Sequence, residues 1–388
     1  MTMTPDILRS RRTLPLPLLL LMSTITFMAI LCELVPSGLL PVMAEGMNVK
    51  LTQAGQLIGI YALASAVCGL PLVSLTVACN RKTLLLFLLG GFSLSNFIVA
   101  WAPDFNVALV GRALGGACAG TLWPMITAYG MTLAPVTAQG RAVTIIMGGI
   151  TAGMAVGVPF LTFIGNYYGY RAAILILACL ILLIAVLCFF YLPSVAGEKK
   201  AAANSPWTML KNQGVLLVVL LTFLAVGANY GVYTFITDVV RDLGYPGVNQ
   251  AQLLFGIGSI ISVCLAIKLI DRYLPVLLIG IYVTGILVFL GFAQLGQIYL
   301  LDAGFLLWGI SFGSLSSIFQ TATSKQVSSG VAVANALQSA SFNFSIMFGS
   351  FGAGKLLEQS NSKIMLYAAA VLLISGLLIA LVNRRKMA

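Results

Sequence analysis

Twelve apolar stretches, each about long enough to cross a bilayer, take up nearly all of this 388-residue chain. A spanning helix needs roughly 20 mostly apolar residues at about 1.5 Å of rise per residue. Charged residues make up 8% of the composition and the mean hydropathy is +1.04, which excludes the water-soluble classes. Almost no chain remains for a soluble domain. The expected fold is an all-α integral membrane protein with twelve transmembrane helices.

The stretches fall near 14–41, 53–78, 83–102, 105–130, 141–165 and 170–192, and then near 214–238, 250–270, 274–295, 298–323, 330–356 and 362–383. With an inside N-terminus, the cytoplasmic segments hold Arg9, Arg11, Arg12, Arg81, Lys82, Arg141, Lys199, Lys200, Lys211, Lys268, Arg272, Lys325, Arg384, Arg385 and Lys386. The outside holds Lys50, Arg171, Arg241, Lys355 and Lys363, and Arg112 lies within a span. This bias is about threefold and fixes topology with both termini in the cytoplasm. The formal charge of +11 therefore orients helices and calls for no nucleic-acid partner.

Arg9, Arg11 and Arg12 precede an apolar run, as in a signal peptide. The run continues past an h-region with no small-residue cleavage site before Glu33, so a retained first helix is expected. The seven cysteines sit in or beside spans without a C-x-x-C pair and read as small packing residues. There is no histidine, the commonest proton carrier and metal ligand. No cofactor or metal site is expected.

Residues 193–213, with Pro193, Gly197, Pro206 and three lysines, form the longest polar stretch and divide the spans six and six. The expected domains are 1–192, a cytoplasmic linker at 193–213, and 214–388. The halves echo each other at an offset near 190: Arg81-Lys82 matches Asp271-Arg272, and Arg112 falls opposite Asp302. The glycine-rich run from Gly148 matches the run from Ser341. Two pseudo-symmetric six-helix bundles follow, related by an axis along the membrane normal. Gly149, Gly153, Gly157 and Gly165 suit close helix packing, and Pro159 bends its span. A hinge in a moving protein and a static bundle are both served by these residues.

Ionisable residues inside spans are candidates for function because desolvation is costly. Glu33 lies about 12 Å below the outer end of helix one, and Arg112 about 10 Å below that of helix four. The matched depths predict that the two charges meet, either as a static ion pair or as a proton-coupling pair. Pro36 removes an N–H one turn beyond Glu33 and, with Gly38, lets the outer part of helix one flex. Asp302 is a second proton candidate, or an outer-interface residue.

Glu33-Leu-Val-Pro36-Ser-Gly38-Leu-Leu-Pro41 resembles the E-x-x-P-x-G-L-L-P signature of the first helix in the major facilitator superfamily. Gly111-Arg112 with Gly115, Gly116 and Gly120 resembles its fourth-helix motif. Gly153-Met-Ala-Val-Gly157-Val-Pro159, followed by Gly169-Tyr170-Arg171, resembles the antiporter motif of helix five. Gln338-Ser-Ala-Ser-Phe-Asn343 resembles the helix-eleven pattern. The likeness covers almost the whole chain and is narrower for the drug:proton antiporter branch, which includes bacterial sugar- and purine-nucleoside-efflux proteins. One departure stands out. The loop after helix two usually reads G-x-x-x-D-R-x-G-R-R, whereas here Ser74-Leu-Thr-Val-Ala78-Cys-Asn80-Arg81-Lys82 lacks the aspartate and glycines. Without them the family's cytoplasmic charge-relay latch is not expected in its usual form, and Arg81 and Lys82 need do no more than anchor topology.

The resemblance implies that helices one, four, seven and ten surround one central cavity. Helical spacing then offers Trp123, Thr127, Asn229, Tyr233, Phe312, Gln320, Asn335 and Gln338 as substrate contacts. Aromatic and amide groups together suit a flat or amphipathic solute. The expected function is export of a small organic solute (drug, sugar or nucleoside) in exchange for protons, by alternating access in a bacterial inner membrane. Glu33, Arg112 and Asp302 would couple protons, and Pro36, Gly38, Gly153, Gly157 and Pro159 would serve as hinges. The resemblance further implies a monomer. A proton-coupled importer is the alternative on the same fold. A membrane enzyme is disfavoured by the missing histidine and clustered acids, ATP use by the missing G-x-x-x-x-G-K-[ST] loop, and a channel by the lack of charge rings.

Overall fold

The computed structural model describes residues 14–198, 205–294, 298–359 and 361–383. Arg9, Arg11, Arg12, Lys199, Lys200, Arg384, Arg385 and Lys386, about half of the expected cytoplasmic charge, lie outside the described residues. Within them run twelve long helices. The first six are α1 Leu16–Gly46, α2 Gln56–Thr76, α3 Arg81–Ala100, α4 Phe105–Leu133, α5 over 139–168 and α6 Tyr170–Tyr191. The second six are α7 Gln213–Thr234, α8 over 248–272, α9 over 274–294, α10 over 298–324, α11 Val331–Gln359 and α12 Ser362–Val382. Ten stretches among the described residues are long and apolar enough to span a membrane, and α8 with α9 share one of them. The chain is an all-α, multi-pass membrane protein.

Local chemistry explains where the helices start. Asn80 accepts from the N–H groups of Lys82 and Thr83 and opens α3. Asp104 accepts from Val107 N–H to open α4, and Asn212 and Asn361 do the same for α7 and α12. Each cap satisfies backbone donors that the first turn leaves unpaired. The helical run Val248–Gln294 changes direction at Tyr273, whose φ of −123° and ψ of 29° leave the helical region. Pro275, which lacks an N–H, follows two residues later.

α5 is interrupted by a π-helical turn at Gly153–Gly157, next to Pro159. A wider turn of this kind accommodates the proline ring without ending the helix. The same glycines hold α5 tightly on α1. A Cβ at Gly149 would lie 2.0 Å from the Ser23 carbonyl oxygen, and one at Gly153 would lie 2.4 Å from Ile30 Cγ2. Thr26 Oγ1 donates to Ile146 O at 2.5 Å across this seam. Gly149 and Gly153 thus provide the close packing expected of them.

The chain divides into two compact units: Met1–Thr208 with Ser329–Ala336, and Met209–Ser328 with Leu337–Ala388. The opening turn of α11 thus groups with the first unit, because Gly330 N–H donates to the Glu198 carboxylate there. The core of the first unit is mostly aliphatic, around Leu85, Leu89, Leu122 and Ile126. That of the second is aromatic, with Trp308 ringed by Phe255 and Phe289 at 5.2 and 5.5 Å, both edge-on.

Candidate functional site

In the first unit the site is built around Arg112, which is 3% exposed. Two sequence features bring acceptors to it. Gly116 and Gly120 let the α2 backbone touch α4: a Cβ on either would lie 2.2 Å from a carbonyl oxygen, of Tyr61 and of Ser65 respectively. That approach sets Leu57 O 2.9 Å from Arg112 Nε. On α1, Pro36 has no N–H for the carbonyl four residues back, which is that of Cys32. Arg112 Nη1 donates to that carbonyl at 2.6 Å, and Nη2 reaches Glu33 O at 3.4 Å. The guanidinium carbon also sits 4.2 Å from the centre of the Tyr61 ring, a cation–π contact.

The expected meeting of Glu33 and Arg112 therefore takes a different form. Arg112 holds main-chain carbonyls of α1 and α2, and the two side chains make no ion pair. The Glu33 carboxylate is half-buried, within electrostatic reach of Arg112 and Tyr61, and makes no hydrogen bond among the described residues. A fixed cation beside an unfastened carboxylate leaves the carboxylate able to change partners.

In the second unit several of the expected substrate contacts make helix–helix contacts. Asn229 is fully buried, and both ends of its amide serve helix contacts: Nδ2 donates to Ala225 O at 2.8 Å and Oδ1 accepts from Trp308 Nε1 at 2.9 Å. It ties α7 to α10. Tyr233 is half-buried among Phe255, Trp308 and Phe312, and Phe312 is 9% exposed. Tyr230, absent from the expected set, packs on Phe312 and Phe342 at 4.8 and 5.7 Å. Gln320 is buried and donates to Ser316 Oγ at 3.1 Å. Gln338 is buried too, with its Nε2 unpartnered.

Asp302 is half-buried near the start of α10, where it accepts from the Tyr245 hydroxyl and from Gln250 Nε2 at 3.4 Å. Burial and then this carboxylate push the Tyr245 hydroxyl up to about 12, so it stays a donor at any ordinary pH. In the first unit Trp123 is half-buried at the edge of the core. Thr127 is buried, donates to Pro124 O at 2.9 Å and accepts from Asn335 Nδ2 at 3.3 Å. Both Thr127 and Asn335 are packing contacts here. Pro36 is buried, and Gly38 lies against Thr162 of α5. Among the described residues no three His, Cys, Asp or Glu side chains gather to hold a metal ion.

The sequence profile of the Major Facilitator Superfamily matches residues 22–334. The chain belongs to this superfamily. It is 29% identical over 361 residues to a chloramphenicol efflux pump of Mycobacterium tuberculosis, covering 89% of this chain and 87% of the pump. It is 24% identical over 367 residues to the purine ribonucleoside efflux pump NepI of Escherichia coli O6:H1, covering 92% of each. In structure it matches the E. coli fucose:proton symporter FucP with a TM-score of 0.76 at 15% identity, over 97% of this chain and all of that one. At that identity the likeness shows the fold alone. As a member of the superfamily the chain is a membrane transporter, and a small molecule is its cargo.

The departure from the superfamily's loop after helix two has a structural counterpart. Arg81 is 3% exposed and pairs with Glu198 at 3.2 Å, so it is more than a topology anchor. Its backbone N–H donates to Val195 O at 2.9 Å, and Asn80 Nδ2 donates to Ser194 Oγ at 2.7 Å. The carboxylate missing from the loop is supplied from beyond α6. Glu198→Ala would leave Arg81 buried without its partner. The expected cost is about 2 kcal/mol, below that of a fully buried pair because Glu198 is 28% exposed. Thermal melting in detergent checks this, and Glu198→Gln should recover part of the loss by keeping one acceptor.

Proposed function

We propose that this transporter exports a small organic solute in exchange for protons, by alternating access, across the cytoplasmic membrane of a bacterium, as a monomer with both termini inside. The observation that carries the reading is the Glu33 carboxylate, half-buried within electrostatic reach of a fixed Arg112 and without a hydrogen bond or ion pair among the described residues. A carboxyl in such a place responds to changes in solvation and in its distance from the cation. Arginine stays charged throughout and tunes the carboxylate without releasing a proton itself. Export is supported by the efflux-pump relatives.

The cargo is a flat or amphipathic molecule of the drug, sugar or nucleoside kind. Support comes from the half-buried Tyr230 and Tyr233 beside Phe312 in the second unit, and from the half-buried Trp123 in the first. Gln320 and Gln338 remain substrate contacts in this reading, and Asp302 a reserve proton site. The hinge role of Pro36, Gly38, Gly153, Gly157 and Pro159 rests on the proline in α1 and the π-helical turn in α5.

The test is transport in proteoliposomes of known orientation, with chloramphenicol, a purine ribonucleoside and a pentose as probes. Exchange predicts that a proton gradient drives at least one probe uphill, with protons moving the opposite way. Protons moving in the same direction as the probe would identify an importer, and no coupling to pH would overturn the reading. Labelling of single cysteines placed in 205–212 and 243–247 checks the orientation.

A further inference from the structure

Tyr61 was not singled out by the sequence, and its placement is unusual for a buried tyrosine. It is 2% exposed, yet its hydroxyl has no hydrogen-bond partner. A buried hydroxyl left unpaired is costly, so such a group calls for an explanation, and a partner engaged in another state is one. The ring is held firmly on two sides. It lies under the Arg112 guanidinium at 4.2 Å, and its Cε2 is 3.2 Å from where a Cβ on Gly115 would be. Leu57, whose carbonyl accepts from Arg112 Nε, lies one helical turn before it on α2. The titratable and charged groups within electrostatic reach of Tyr61 are Cys32 and Glu33 from α1 and Arg112 and Cys118 from α4, and the Arg112 guanidinium that covers the ring also touches the Glu33 backbone at 3.4 Å. Of these, Cys32 Sγ already accepts from Asn96 Nδ2 at 3.3 Å, and Arg112 is a donor. The Cys118 thiol is only a weak acceptor, which leaves the Glu33 carboxylate as the strong acceptor that remains open.

We propose that the Tyr61 hydroxyl is the hydrogen-bond donor that the Glu33 carboxylate engages in another state of the transport cycle, which makes Tyr61 a positioning residue for the coupling site. This rests on the reading of Glu33 as the proton carrier. The phenol docks the ionised carboxylate next to Arg112 and releases it when Glu33 takes up a proton. A tyrosine suits the task because its ring is fixed by the guanidinium while its hydroxyl alone changes partner.

The test is infrared titration of the protonated-carboxyl band of Glu33 in the purified, lipid-reconstituted protein, with the band assigned by its loss in Glu33→Gln. Tyr61→Phe keeps the ring over Arg112 and deletes the hydroxyl. The band's midpoint should move up by about one pH unit, because the ionised form loses a donor. The melting temperature should hold or rise, since an unpaired buried hydroxyl has been removed. Incorporating 3-fluorotyrosine at position 61, a stronger donor of nearly the same shape, should move the midpoint the other way and guards against misfolding of the Phe variant. If both variants leave the midpoint unchanged while Glu33→Gln abolishes the band and uphill transport, the role of Tyr61 is overturned and the Glu33 reading stands. If Glu33→Gln keeps both, the Glu33 reading itself has failed.

Discussion

Glu33→Gln is expected to abolish pH-gradient-driven uphill transport while leaving substrate exchange at zero gradient close to the parent level. Glutamine keeps the size and most of the hydrogen-bonding capacity of the protonated acid but cannot titrate. The fold should be little affected, since the carboxylate carries no hydrogen bond or ion pair and Arg112 is held by the Glu33 and Cys32 carbonyls, which the substitution retains. The melting temperature should therefore change little. The measurement is paired: probe accumulation under an imposed proton gradient, and counterflow without one. Loss of both together would point to damage rather than coupling. Full retention of gradient-driven transport would move the proton site elsewhere, with Asp302 the next residue to test.

Arg112→Ala should fail in a different way, by destabilising the first unit. The guanidinium bonds Leu57 O and Cys32 O at 2.9 and 2.6 Å and covers the Tyr61 ring. Truncation leaves the buried Cys32 carbonyl, which Pro36 cannot serve, without a donor, and it removes the tie to Leu57 O, which keeps only its own helix's Tyr61 N–H. Hydrogen bonds to a charged group contribute roughly 1.5–3 kcal/mol each, so a loss of about 3 kcal/mol is expected after the desolvation of the arginine itself is offset. Thermal melting of the purified variant reads this. Arg112→Lys should recover about half of the loss: an ammonium reaches one or two of the acceptors but lacks the planar fork that spans α1 and α2. A melting temperature unchanged in Arg112→Ala would show that the carbonyl contacts carry no weight.

The contrast between the two variants separates what each residue does. A static Glu33–Arg112 ion pair would make both substitutions destabilising, because each would leave the partner charged and buried. The observed contacts predict stability loss from one and coupling loss from the other.

Sequence resolved some features and not others, for reasons visible at particular residues. The helix boundaries were legible because hydropathy and end-capping are local: Asn80, Asp104, Asn212 and Asn361 sit one to three residues before the expected starts of spans three, four, seven and twelve. The depth match of Glu33 and Arg112 was also legible, since rise per residue is fixed. It brought the right helices together and still named the wrong acceptor. Tyr61 carried a signal that went unused: Leu57, Tyr61, Ser65, Gly69 and Val73 repeat every four residues along the buried face of α2.

The chain's own pattern thus determined twelve membrane helices, their tight glycine contacts and a carbonyl in α1 that its helix could not satisfy. Each of these follows from the chemistry of one residue or one short window. The tertiary structure decided which group fills each vacancy. Arg112 serves the Cys32 carbonyl 80 residues away, Glu198 serves Arg81 across 117, and Trp308 takes the amide oxygen of Asn229 across 79. Partners at such separations depend on how helices approach and which rotamers fit between them. In a membrane interior, where an unpaired polar group has no water to turn to, that geometry sets which residues hold the fold and which stay free to act.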